Sequence, residues 1–188
     1  MSTTVEFFWD AASPYTYLAA TQIAGLEQRT GISVVWRPFV LGKVFEATGN
    51  RMPAAVPAKA KHLFKDCQRW ARFYEVPFAM PPVFPVHSIL AGRLALAADA
   101  QGRGAAAALA LMQATWGEGR DVARPEVASA ALTAIGLNAV ALLEATQSQV
   151  IKDQLKANTD EAIQRGAFGA PSFFVAVSYT HLTLPTKA

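Results

Sequence analysis

The pattern of apolar and polar positions predicts an α/β protein that opens with a βαβ unit. Residues 4–9 (TVEFFW) are aromatic and β-prone, and residues 10–14 (DAASP) favour a turn. Apolar residues then recur at helical spacing over 15–29, and Gly31 is placed to end that helix. The run 32–39 (ISVVWRPF) predicts a second strand. Because a helical crossover joins parallel strands, we expect an open sheet with a right-handed connection.

The middle of the chain is predicted to be mainly helical. Glycines and prolines interrupt residues 40–57, so we expect a long loop there with room for one helical turn, and loops of this length are often functional. An apolar stripe opposite basic side chains predicts an amphipathic helix over 58–74. After a proline-rich connection, further helices are expected at roughly 86–100, 103–117, 125–135, 139–146 and 148–165.

A proline-led strand closes this pattern. Gly166 is placed as the C-terminal cap of the preceding helix, and residues 168–177 (FGAPSFFVAV) predict a short buried strand. The order βαβ, helices, strand favours one thioredoxin-like α/β domain over 1–177, with an all-helical insertion at about 58–146. A flavodoxin-like sheet would need more β-prone runs than this region contains.

Composition supports a single globular unit. The chain has 188 residues, of which 52% are hydrophobic and 16% charged, and this balance argues against disorder. It contains no run of about 18 apolar residues that would predict a membrane span. The first residues lack a basic stretch followed by an apolar one, so we expect a soluble, cytoplasmic protein without a secretory signal.

Several kinds of chemistry have little support in the sequence. The single cysteine, Cys67, cannot form an internal disulfide or a cysteine-rich metal site. The net charge of +3 is dispersed, so we expect no nucleic-acid partner. His62, His87 and His181 have no metal-ligand spacing, so no metal site is expected, and no carboxylate pair suggests acid–base catalysis.

The turn after the first strand is the strongest candidate for a site. Serine is a favoured N-cap and proline fits the first helical position, so Ser13-Pro14 can be interpreted simply as a helix start. The turn also lies at the carboxyl end of a strand, where α/β proteins usually bind ligands. Free amides at a helix start favour an anion such as a thiolate.

Residues 7–19 (FFWDAASPYTYLA) resemble the amino-terminal signature of the 2-hydroxychromene-2-carboxylate isomerases and kappa-class glutathione transferases. The resemblance implies a DsbA-like thioredoxin fold with glutathione as cofactor. In this family the serine before the proline faces the glutathione sulfur, which implies a catalytic and glutathione-binding role for Ser13. Related disulfide oxidoreductases have a cysteine in this turn. A hydroxyl cannot form a disulfide, but it can donate a hydrogen bond to a thiolate and lower its pKa.

Two further segments extend the resemblance. Residues 166–175 (GAFGAPSFFV) are similar to the family segment with a cis proline, which implies that Ala170 and Pro171 help bind glutathione; a trans proline opening an edge strand is the alternative. Residues 48–78 resemble the segment whose asparagine and lysine contact glutathione, which implies Asn50 and Lys59 as ligands. Asn50 could instead stabilise a turn, and Lys59 could instead be a solvated surface residue without a ligand. Trp116 matches a family position, but we expect it to be core.

The resemblance implies a glutathione-dependent isomerase of 2-hydroxychromene-2-carboxylate-type aromatic intermediates. A kappa-like transferase and a non-catalytic or disulfide-related module remain alternatives. A small aromatic substrate, no membrane partner and a possible homodimer are implied as well. The resemblance ends at about residue 177, before the hairpin and final helix usual in the family. We therefore expect a truncated end of the thioredoxin core, and residues 178–188 (SYTHLTLPTKA) as a linker or frameshifted tail.

Overall fold

The computed structural model describes residues 3–175 of the chain, which fold around a three-stranded sheet. The strands are β1 (Thr4–Trp9), β2 (Ser33–Pro38) and β3 (Ser172–Val175), in the order β2-β1-β3. β1 is parallel to β2 and antiparallel to β3. The predicted βαβ unit and the strand after Pro171 are therefore confirmed. The prediction that this strand is buried is wrong, because Phe173 and Val175 of β3 are exposed.

Helices make up most of the remaining described chain. Nine α-helices lie within residues 3–175: α1 (Pro14–Ala20), α2 (Ile23–Thr30), α3 (Leu41–Thr48), α4 (Pro57–Phe73), α5 (Ile89–Asp99), α6 (Gly104–Met112), α7 (Pro125–Ala134), α8 (Ala139–Ala145) and α9 (Gln149–Gln164). A 3-10 turn spans Pro53–Ala55, and a π-helical turn, Gln113–Gly117, extends α6. The helices predicted from residue 58 onwards are all present.

The first predicted helix is in fact two. It breaks at Thr21, whose hydroxyl donates a hydrogen bond to the Leu18 carbonyl at 2.7 Å, and the Gln22 amide bonds to the Ala19 carbonyl. Thr21 and Gln22 thus donate hydrogen bonds to carbonyl groups at the end of α1, and the helix ends there. The spacing of apolar residues does not reveal this break. Gly31 follows α2 with φ 69°, the left-handed conformation expected of a glycine that ends a helix.

The prediction of a loop over 40–57 is wrong in its first half, which forms α3. Its two glycines do not interrupt the helix. Gly42 is the second helical residue, and Gly49 follows the last one with φ 69°. Glycine disfavours a helix interior but is common just after a helix, so position, and not number, decides its effect.

Helices cover both faces of the sheet. Phe8 of β1 is buried against Val44 of α3 and Ala162 of α9. Phe7 and Trp9 point to the other face and belong to the main core with α1, α5 and α6. Burial on both faces explains why the central strand is a nearly continuous apolar run.

The described residues contain no helix that is both long and apolar enough to span a membrane. The predicted tail at 178–188, and with it the predicted truncation of the thioredoxin core, lies outside the described residues.

Candidate active site

Ser13 lies in the turn between β1 and α1 and is almost fully buried. Its hydroxyl oxygen accepts a hydrogen bond from the Thr16 amide at 3.3 Å, so the predicted N-cap is confirmed. The same hydroxyl donates to the main-chain carbonyl of Ala170 at 2.9 Å. One side chain therefore joins the start of α1 to the segment that precedes β3.

The segment before β3 carries a cis peptide bond between Ala170 and Pro171, as the resemblance implied. Ser172 begins β3 opposite Phe8 of β1, and its hydroxyl donates to the Gly169 carbonyl at 2.8 Å. These contacts fix the main chain of Gly169 and Ala170 beside the Ser13 turn.

A cavity of about 420 Å³ opens beside Ser13. Its walls are largely apolar, and they include Leu41, Phe45, Met52, Leu63 and Phe84. The polar side chains that the described residues contribute to its lining are those of Ser13, Tyr15 and Asn50. An apolar cavity of this size with a few polar groups is typical of small-molecule sites.

Asn50 lies at the rim of this cavity. Its side-chain amide donates to the Phe168 carbonyl at 2.8 Å, and its side-chain oxygen accepts from the Arg51 amide at 2.8 Å. The residue thus connects the end of α3 to the segment before β3. Its side chain serves the local turn and also reaches the cavity.

Lys59 does not line the Ser13 cavity. It is exposed in the first turn of α4 and borders a neighbouring cleft of about 430 Å³, which shares Tyr15, Pro53 and Leu63 with that cavity. Pro171 is not among the lining residues either, although its partner Ala170 is. The structure therefore brings Ser13, Asn50 and Ala170 together and leaves Lys59 in the adjoining cleft.

Asp10 is a further residue of the candidate site, and the sequence patterns above do not predict it. It is 4% exposed, and its carboxylate accepts hydrogen bonds from the Ala12 amide at 2.9 Å and the Leu41 amide at 2.7 Å. Burial raises its pKa, against the lowering effect of its hydrogen bonds, which include one with the Ser88 side chain. The hydrogen bonds of Asp10 thus connect the Ser13 turn to Leu41 at the start of α3 and to Ser88 just before α5. An acidic residue at the end of a buried strand is the signal that could have found it.

Trp116 supports the same turn from the core. It is fully buried, its indole N–H donates to the Ala11 carbonyl at 2.8 Å, and its ring stacks on Phe78. The interpretation of Trp116 as core is confirmed.

Tyr15 forms a wall of the cavity with a fixed orientation. Its hydroxyl donates to the Asp66 carboxylate at 2.8 Å. Burial, reinforced by the neighbouring Asp66 carboxylate, raises the pKa of Tyr15. The hydroxyl is therefore neutral at physiological pH, and the ring is held by its own hydrogen bond.

Cys67 takes no part in the cavity. It is fully buried in α4, and burial together with Asp66 raises the pKa of its thiol to about 12. A thiol in this state is a poor nucleophile. Residues 3–175 also contain no group of three or more histidine, cysteine and acidic side chains that could hold a metal ion.

Comparison with known proteins gives consistent matches. A family model described as a DSBA-like thioredoxin domain matches residues 4–182. A 2-hydroxychromene-2-carboxylate isomerase of Sphingobium xenophagum is 33% identical over 177 residues, 93% of this chain and 90% of that protein. Glutathione S-transferase kappa 1 of Homo sapiens is 27% identical, with 89% of this chain and 79% of that protein covered. The solved structure of a 2-hydroxychromene-2-carboxylate isomerase superposes with a TM-score of 0.81 at 27% identity, covering 91% of this chain and 84% of the other.

Proposed function

Because this chain belongs to the DSBA-like thioredoxin domain family, in its group of 2-hydroxychromene-2-carboxylate isomerases and kappa-class glutathione transferases, we propose that it is a glutathione-dependent isomerase. Its substrates on this proposal are aromatic intermediates of the 2-hydroxychromene-2-carboxylate type. The observation that carries the proposal is the Ser13 hydroxyl, which lies at the start of α1 and lines an apolar cavity.

The residues around the cavity fit glutathione. The cavity has a volume in the range of small-molecule sites, and the main chain of Ala170 lines it beside the Ser13 hydroxyl. The exposed ammonium of Lys59 in the adjoining cleft suits a carboxylate of the tripeptide. Asn50 adds an amide at the rim. When bound, glutathione would supply the thiolate that adds to an unsaturated substrate carbon and leaves again after bond rotation.

Ser13 stabilises the charged sulfur in this proposal. Its single hydroxyl proton now goes to the Ala170 carbonyl, and rotation about one bond redirects it toward the cavity. A hydrogen bond donated to a thiolate favours the charged form and lowers the pKa of the thiol. Ser13 thus stabilises the glutathione thiolate. Cys67 cannot take this role, because it is buried outside the cavity and its thiol has a raised pKa.

The other site residues position the tripeptide. We assign the main chain of Ala170, next to the cis bond with Pro171, to a β-like contact with the cysteinyl part of glutathione. Tyr15 and the apolar walls exclude water and receive the aromatic reactant. Glutathione and a small aromatic molecule are therefore the partners.

Turnover of 2-hydroxychromene-2-carboxylate in the presence of glutathione tests the proposal. An isomerase consumes the substrate while the concentration of free glutathione stays constant. A fall of glutathione in step with the substrate would identify the alternative, a kappa-like transferase. Absence of both reactions would contradict the enzyme assignment and favour a non-catalytic module, for which isothermal titration with glutathione would show no heat.

A further inference from the structure

A second cavity lies on the other side of α3 from Ser13. It has a volume of about 580 Å³, is open to solvent and is lined by residues of α3, α5 and α9; we refer to it as the α3–α5–α9 cavity. It shares no lining residue with the Ser13 cavity. Nothing in the proposed isomerase reaction uses this cavity, so its chemistry can be considered independently.

The charges that line this cavity are not balanced. Two of its lysines are matched by acids: Lys43 pairs with Glu46 at 2.8 Å, and Lys156 pairs with Asp160 at 2.5 Å. Arg93 of α5 and Lys152 of α9 also line the cavity.

Within residues 3–175, neither Arg93 nor Lys152 forms a salt bridge or a side-chain hydrogen bond. Two positive charges therefore face the cavity without an acidic partner in the described chain.

Arg93 is the more informative of the two. Its Nε atom is buried and has no hydrogen-bond partner among the described residues. A buried donor without an acceptor is destabilising, and more so when the group is charged. A guanidinium group is suited to carboxylate oxygens because its donors form a planar fork. Because Arg93 lines the cavity and has no acidic partner among the described residues, its guanidinium group favours an acidic ligand.

The other residues that line the cavity indicate that the rest of the ligand is apolar. Apolar side chains dominate the walls, including Val40, Ile89, Leu155 and Ile163. Ile89 is 48% exposed, so an apolar molecule seated here would remove its side chain from water.

We propose that the α3–α5–α9 cavity binds a small carboxylate with an apolar body, whose acid group is held by Arg93 and Lys152. The apolar part of the ligand lies against the walls contributed by α5 and α9. This site is separate from the one at Ser13 and does not depend on glutathione.

Isothermal titration of the full-length chain with naphthalene-2-carboxylate, in the presence of saturating glutathione, tests this site. Because the Ser13 cavity is itself proposed to receive an aromatic acid, the effect of substitutions at Arg93 and Lys152 identifies which of the two cavities binds the probe. We expect binding, and affinity lower by about 10-fold or more for the uncharged naphthalene-2-methanol. In the double variant Arg93→Gln/Lys152→Gln, the affinity for the carboxylate should fall by about 10- to 100-fold.

The matched control removes the same two units of charge elsewhere. Lys61→Gln/Lys65→Gln alters exposed residues of α4 and should leave the affinity unchanged. If the double variant at Arg93 does not fold, Lys152→Gln alone should still weaken binding several-fold. Absence of binding, equal affinity for the alcohol, or equal losses in the variant and its control would overturn the proposal.

Discussion

The hydroxyl of Ser13 has two structural partners and one proposed chemical role. It accepts from the Thr16 amide and donates to the Ala170 carbonyl, so its loss affects the turn even without ligand. The effect on stability and the effect on chemistry can be separated, because the chain contains another serine N-cap. Ser148 caps α9 and accepts from the Ile151 amide at 3.4 Å, and it does not line the Ser13 cavity.

Ser13→Ala should lower isomerase activity by ~10- to 1000-fold, because a donor to the charged sulfur is lost. It should also lower the free energy of unfolding by ~1–3 kcal/mol, through the lost cap and the lost hydrogen bond to the Ala170 carbonyl. Ser148→Ala loses a cap alone, so it should lower the free energy of unfolding by about 1 kcal/mol and leave activity unchanged. Steady-state kinetics and denaturant titration of both variants measure this, and equal activity of Ser13→Ala and the unaltered protein would remove Ser13 from the mechanism.

Asp10→Asn should lower the free energy of unfolding by ~1–3 kcal/mol. Asparagine can accept from one of the two amides that Asp10 serves, those of Ala12 and Leu41, but presents its own donors to the other. Activity should fall as well, because the Ser13 turn loses its support. Asp121→Asn is the control, since Asp121 makes the equivalent contact with the Ala123 amide alone. An Asp10→Asn variant that unfolds at the same denaturant concentration as the control would contradict this role.

Residues of the site could be predicted only where a motif or a local rule marks them. Ser13 is predicted from the serine–proline turn after a strand together with the family signature, and Ala170 from the resemblance of residues 166–175 to the family segment with a cis proline. Asp10 was missed because an aspartate in a turn already has a local explanation. Its partner Leu41 is 31 residues away in sequence, and only the folded chain brings the two together.

At the level of helices and strands, α9 is tied to the sheet by charge. Arg37 of β2 pairs with Glu6 of β1 at 2.7 Å and with Glu161 of α9. Arg165 pairs with Glu6 at 2.6 Å and with Glu161 at 2.9 Å, which closes the network. The Arg37 guanidinium also lies 5.0 Å from the ring centre of Phe8. Because several charges act together, this network is a stronger contributor than an isolated surface pair.

Glu161 gives this network a pH dependence. Partial burial acts to raise its pKa, but hydrogen bonds from Arg165 and Arg37 outweigh burial and hold the pKa below its ordinary value of 4.5. A carboxyl group whose pKa is lowered by folding stabilises the protein above its unfolded pKa. This contribution is lost as the pH falls through the lowered value.

Glu161→Gln should therefore destabilise the protein by about 1 kcal/mol at pH 7, a value that allows for screening of these partly exposed charges. The difference from the unaltered protein should shrink as the pH falls below 4.5. Asp160→Asn, which breaks the exposed pair with Lys156, should have a smaller effect at pH 7. Thermal unfolding across this pH range measures both, and a difference that is independent of pH would contradict the assignment.

The helices and strands could be predicted from the sequence where the spacing of apolar residues is regular. The sequence pattern does not predict α3, because glycines usually interrupt a helix, whereas Gly42 and Gly49 occupy the second helical position and the position after the end. The break between α1 and α2 was missed because apolar spacing continues across it. Both errors concern helix ends, where single side chains and backbone hydrogen bonds outweigh periodicity.

In the molecule as a whole, the candidate site is assembled from distant parts of the chain. The hydrogen bond from Ser13 to Ala170 spans 157 residues, and α3, α4 and the segment before α5 supply the cavity walls. The sequence predicted the thioredoxin-like topology with its helical lobe, because strand and helix patterns are local. It could not predict that Phe45 and Phe84 face one cavity, since that depends on how the lobe packs against the sheet.

A crystal structure of the protein with glutathione tests the central proposal most directly. The proposal predicts that the tripeptide occupies the Ser13 cavity, with its sulfur within hydrogen-bond distance of the Ser13 hydroxyl and its main chain beside Ala170. The hydroxyl should then have turned away from the Ala170 carbonyl. Glutathione bound with its sulfur in another cavity, while Ser13 still donates to Ala170, would contradict it.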